Sequence, residues 1–165
     1  ILAPVPSCVL MYKQELPLLF PNDPEVLRVK EHIFDPFEYL AIRHRHNLLN
    51  TQFVRPLGKV AYHVACHQRV QRIGLKTKEI LSLIPDTQVT AIERCSGDDG
   101  PYGVKKEFYP YAVKIGTPAA KRILDADADF YTSDCPMAGR HLEHLLDNQT
   151  QTHHPIALLR LAYGL

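Results

Sequence analysis

The chain has 165 residues, 45% of them hydrophobic and 22% charged, the proportions of one globular domain able to bury a core. A net charge of +1 leaves no basic field for nucleic acid, and no apolar run approaches the ~20 residues of a membrane span. Four cysteines, Cys8, Cys66, Cys95 and Cys135, are too few and too widely spaced for a disulfide scaffold, so a cytoplasmic setting is the default.

In chain order, Ile1 to Pro6 reads as a short buried strand. With no initiator methionine and no signal-peptide pattern, this start is read as the interior of a longer protein. Val9 to Phe20 has helical periodicity interrupted by Pro17. Asp23-Pro24 and Asp35-Pro36 are N-cap signals that open helices over Glu25 to Ile33 and Phe37 to Leu49. Gln52 to Leu57 is a connection. Lys59 to Val64 is β-rich and ends at Cys66-His67. Gln68 to Ile84 carries a helical stripe broken by Gly74.

Thr87 to Glu93 alternates as a strand and ends at Cys95, where Gly97 to Gly103 forms a glycine-rich loop. Val104 to Ala126 is a long helical pattern, with a kink expected at Pro110 and a break near Gly116-Thr117-Pro118. Asp129 to Ser133 is a strand followed by Cys135, and Pro136 to Asp147 is a helix. Asn148 to His154 reads as a polar, mobile segment, and Pro155 to Tyr163 as a final helix closed by Gly164. Strands alternating with helices predict an α/β fold, a parallel sheet with helices on both faces.

In such a sheet the carboxyl ends of the strands line one edge, where ligands bind. Three of the cysteines follow predicted strands, so Cys66, Cys95 and Cys135 are expected to meet there, as a metal or iron–sulfur site requires. One such cysteine alone is read as a small buried hydrophobe; the three together are read as ligands. His67, beside Cys66, is a candidate metal ligand through neutral imidazole, or else makes a supporting hydrogen bond or caps the following helix. His63 reads as a core histidine, Asp98 and Asp99 as turn formers, and Arg43 to His46 and His153-His154 as solvated. There is no G-x-S-x-G elbow and no phosphate-binding glycine motif, which disfavours a serine hydrolase or a nucleotide enzyme.

Tyr62-His63, Cys66-His67, Cys95-Ser96-Gly97 and Cys135-Pro136-Met137 together resemble the cysteine-rich, CCG-type domain. That family includes the B subunit of heterodisulfide reductase and the C subunit of anaerobic glycerol-3-phosphate dehydrogenase. The resemblance implies that residues 1–57 are the tail of a preceding CCG-type repeat plus a helical connection, with Cys8 as its last cysteine. Residues 58–165 are then a second CCG-type domain with a C-terminal helix. It further implies a 4Fe-4S type iron–sulfur cluster and electron transfer within an oxidoreductase. The implied partner is a flavoprotein or ferredoxin-like redox protein, any membrane association being peripheral and through other subunits. Two departures stand out. Ser96 replaces the second cysteine of Cys-Cys-Gly, and Ala138 stands where the final C-x-x-C would end. The alternative is a zinc-stabilised or metal-free interaction domain, the zinc held by the three cysteines and His67.

Overall fold

A computed structural model describes residues 1–100, 102–147 and 149–165; Pro101, in the predicted glycine-rich loop, and Asn148, at the head of the predicted polar segment, lie outside them. Four strands, β1 (Gly58–His63), β2 (Thr87–Ile92), β3 (Phe130–Ser133) and β4 (Thr152–His153), form one sheet in the order β2-β1-β3-β4. Every pairing is parallel, as the alternation of elements predicts. Helices α5 (Cys66–Val70) and α6 (Lys76–Leu81) cross from β1 to β2. The longer α7 (Tyr109–Asp125) crosses from β2 to β3, and α8 (Pro136–Leu145) from β3 to β4, before α9 (Pro155–Ala162).

Burial follows the strand period. On one face Val60, Tyr62 and Val89 pack against Ile80 and Leu81 of α6 and Leu158 and Leu159 of α9. Phe37 and Ala41 join the same cluster from α4 (Pro36–Arg45), so this core crosses residue 57. On the other face Ala61, Ile92 and Tyr131 pack against Ala119, Ala120 and Ile123 of α7 and Leu142 of α8. Each such large apolar side chain contributes about 1.5–3 kcal/mol by leaving water. The strand order reverses at β1, with β2 on one side and β3 on the other, and a crevice opens there at the carboxyl edge. No helix among the described residues is long and apolar enough to cross a membrane.

Four local expectations are corrected. Residues 1–6 form no strand: Leu2 makes a single parallel bridge to Phe34, Ile1 and Leu2 are exposed, and Pro4 lacks a donor for a ladder. The first helix is not broken at Pro17. A π-helical turn (Met11–Glu15) joins α1 (Pro6–Leu10) to α2 (Leu16–Leu19), and the wider turn absorbs the clash of the Pro17 ring with the preceding coil. Helix α7 begins at Tyr109, with Pro110 in its first turn, and runs unbroken through Gly116-Thr117-Pro118. His153-His154 is not a solvated tail. His153 lies in β4, its carbonyl accepts from the Thr132 hydroxyl at 2.8 Å, and His154 caps α9. The predicted caps do form: Asp23 accepts from the first turn of α3 (Pro24–His32), and Asp35 and Glu38 make a capping box on α4.

Gly116 is present for contact and not for flexibility. A Cβ there would meet the Ser96 carbonyl oxygen at 2.2 Å and Leu145 Cδ1 at 2.6 Å, while a Cβ on Gly97, whose φ is +84°, would meet the Ala112 carbonyl oxygen at 2.1 Å. The turn after β2 is thus seated directly on the α7 backbone. Gly116→Ala, though helix-favouring, is expected to lower stability by about 1–3 kcal/mol through overpacking, read from urea unfolding.

His63 is the core histidine that its position on a strand suggests. It is fully buried, with Nε2 2.9 Å from the Arg94 carbonyl and Nδ1 3.1 Å from Ser133 Oγ. A carbonyl only accepts, so Nε2 carries the proton and Nδ1 accepts from the serine hydroxyl. Burial, the largest influence, depresses its pKa from 6.5 to about 4. The native state therefore stays neutral where the unfolded chain takes up a proton. The stability is complete above pH 6.5 and is lost as pH falls from 6.5 toward 4, by about 3 kcal/mol in all. His63→Gln is expected to abolish this slope, measured as the difference between wild-type and variant denaturation midpoints across that window.

Candidate metal centre

Cys66 opens α5 directly after β1, Cys95 lies three residues past β2, and Cys135 is the N-cap residue of α8 after β3. All three strand ends lie at the same edge, and the three cysteines line one cavity of about 170 Å³ together with His67, Ser96, Asp98, Asp99 and Ala138. A larger, more open depression of about 580 Å³ lies at the opposite strand ends, lined by residues such as Gly58, Pro85 and Asp129, and offers no thiol or imidazole. Cys8, in α1, is exposed and does not line the cysteine cavity. The four cysteines are all free thiols.

Hydrogen bonds hold the three turns. The Cys135 N–H donates to Ser133 Oγ at 3.4 Å, Ser133 is bonded to His63, and His63 reaches the Arg94 carbonyl just before Cys95. One chain of bonds therefore runs from the Cys135 turn through β1 to the Cys95 turn. Two sulfurs accept hydrogen bonds: Arg69 Nη2 donates to Cys66 Sγ at 3.3 Å, and the Gly97 N–H donates to Cys95 Sγ at 3.4 Å. Burial in the cavity wall pushes the Cys95 thiol above its ordinary pKa; the Gly97 N–H opposes the rise, and Cys66 and Asp99 add to it. Asp134, 2% exposed, is driven by burial up to about 7, against hydrogen bonds from Tyr62 and Thr77.

The donor set is three thiols around one cavity, soft donors of the kind that iron and zinc both take. A tetrahedral zinc site with Zn–S near 2.3 Å needs its ligand atoms within about 4 Å of one another. Among the described residues no three His, Cys, Asp or Glu side chains are grouped closely enough to hold one metal ion as they stand. Three thiols lining one cavity, with N–H groups donating to two of the sulfurs, are donors that also fit a negatively charged iron–sulfur cluster. Helix α8 begins right after Cys135 with no side-chain cap. Pro136 has no N–H to offer, but the positive dipole end of α8 favours an anion at the cavity.

The sequence does not point to several residues that shape this edge. Arg69 could be found only by noticing that it lies one helical turn from Cys66. Ser133 and Asp134 look like ordinary turn residues. Ser96 is 3% exposed and its hydroxyl accepts from the Asp98 N–H at 3.3 Å, so it closes the loop as well as lining the cavity. His67 is exposed at the rim, and its carbonyl accepts from Gln71 Nε2 at 3.2 Å.

No family model matches the chain. It is 34% identical over 144 residues to the C subunit of the anaerobic glycerol-3-phosphate dehydrogenase of Escherichia coli K12, and equally to that of Escherichia coli O157:H7. The match covers 84% of this chain and 36% of each relative. An uncharacterized iron–sulfur protein of Methanococcus maripaludis is 32% identical over 98 residues, 57% of this chain and 19% of that protein. The chain thus spans little more than a third of the length of the curated relatives it matches first. The identity, together with the strand-end cysteines and the motifs around them, places this chain in the CCG-type cysteine-rich family, with the C subunit of anaerobic glycerol-3-phosphate dehydrogenase.

Proposed function

We propose that Cys66, Cys95 and Cys135 ligate an iron–sulfur cluster of the 4Fe-4S type, and that the chain passes electrons as part of a heterodisulfide reductase-like oxidoreductase. The observation that carries this reading is the meeting of three thiols, from three separate strand ends, around one cavity. The names of the relatives support it: one is part of an anaerobic dehydrogenase, another an iron–sulfur protein. The partner in this reading is a flavoprotein or ferredoxin-like protein.

When bound, such a cluster supplies one-electron chemistry at a potential set by its surroundings. The chain's own contribution is to hold and polarise the sulfurs. The Arg69 guanidinium and the Gly97 amide each withdraw charge from a sulfur, which favours the reduced form. Ser96 and Ala138 occupy the places of two family cysteines and line the same cavity, as do Asp98 and Asp99, so a cluster here has fewer thiolates than irons. An oxygen ligand or a substrate can take the remaining position.

Removing Cys95 takes away one of three soft ligands. After anaerobic reconstitution, Cys95→Ala is expected to retain almost no iron or acid-labile sulfide, and Ser96→Cys to hold more iron per chain than wild type. Equal iron in all three proteins would sink the cluster reading. Arg69→Met removes one hydrogen bond of about 1 kcal/mol, which lowers a one-electron potential by on the order of 40 mV. Redox titration of the reconstituted protein reads this directly.

A further inference from the structure

The two residues before Cys135 leave β3 in different directions, and each is tied to a different part of the protein. Ser133 reaches His63, as described. Asp134 turns to other elements: the Tyr62 hydroxyl of β1 donates to its Oδ2, and the Thr77 hydroxyl of α6 donates to its Oδ1 at 2.7 Å. Tyr62 and Thr77 are completely buried. One carboxyl thus joins the turn before Cys135 to the central strand and to the crossover that follows Cys66.

This is an expensive way to fasten three elements. Asp134 forms no ion pair among the described residues, and a charged carboxylate buried without a cation costs several kcal/mol. Two hydroxyl bonds offset only part of that. Apolar packing would join β1, β3 and α6 at lower cost. A planar group held at both oxygens supplies direction instead, because it has no freedom to rotate and the adjoining backbone is fixed with it. The adjoining residue is Cys135.

We propose that Asp134, anchored by Tyr62 and Thr77, is a positioning residue that holds the Cys135 sulfur at the cavity. Its purpose rests on the cluster reading above, while its geometry stands without it. The test uses the whole chain in two forms. In reduced, metal-free protein, iodoacetamide labelling of each cysteine is followed by mass spectrometry, with exposed Cys8 as the internal reference. Thr77→Val keeps the shape and removes one donor. It is expected to speed Cys135 labelling about fivefold, the ratio that one lost hydrogen bond of about 1 kcal/mol gives, with Cys66 and Cys95 unchanged. Asp134→Ala should exceed this, and Asp134→Asn should restore much of the protection.

In reconstituted protein, the Thr77→Val cluster should keep its iron and show shifted electron paramagnetic resonance. Equal Cys135 labelling in folded wild type and folded Thr77→Val overturns the proposal, as does an Asp134→Asn protein that labels like Asp134→Ala. A wild type that takes up no cluster ends the cluster reading alone, and the labelling ratio still decides the role of Asp134.

Discussion

The imidazole of His63 keeps the carboxyl edge in register. It sits on the central strand, fully buried, and spends both nitrogens on the turns that follow the two neighbouring strands. A buried imidazole with an unmet donor would cost about 1–3 kcal/mol, so the Arg94 carbonyl cannot drift away without penalty. The same holds for Ser133, which must donate to His63 while accepting from the Cys135 amide. The Cys95 and Cys135 turns are therefore placed relative to each other by β1, which also delivers Cys66.

Below that bridge, close backbone packing takes over. The Cys95 turn rests on α7 at Gly116, where neither partner has room for a side-chain carbon. The Cys135 turn is held from its other side by the buried Asp134 carboxyl. The rim is open to solvent at both remaining sides: Cys95, Arg69 and His67 are exposed, and Cys66 is half-buried. The turns are thus fixed from below by packing and from above meet solvent, and a docking partner or a ligand would approach over that exposed rim.

The fold and the meeting of the cysteines were legible because both follow from periodicity. Alternation marked β2 and β-rich composition marked β1, with β3 read as the next strand, and parallel connection then puts their ends together whatever the details. Caps at Asp23 and Asp35 were legible for the same local reason. Features set by tertiary contact were not. Gly116-Thr117-Pro118 carries every local sign of a helix break, yet α7 continues because packing against the Cys95 turn and α8 outweighs one missing hydrogen bond. The two residues of β4 are too few to show a pattern, and what holds them is the edge of β3. Asp134 gave no signal, since its partners are far away in sequence and adjacent only in the folded chain.

The parallel connection also sets an order of events in time. Each strand pairing must wait for a whole helix-containing crossover, and such non-local closure is slow. The ribosome delivers Cys66 well before Cys135, so for a period the earlier thiols are exposed with no edge to belong to. During that interval they are open to oxidants and stray metals, and one edge of β1 stays unpaired until β3 closes on it. A cell that makes this protein would gain by withholding oxygen and loose metal until the third turn has closed.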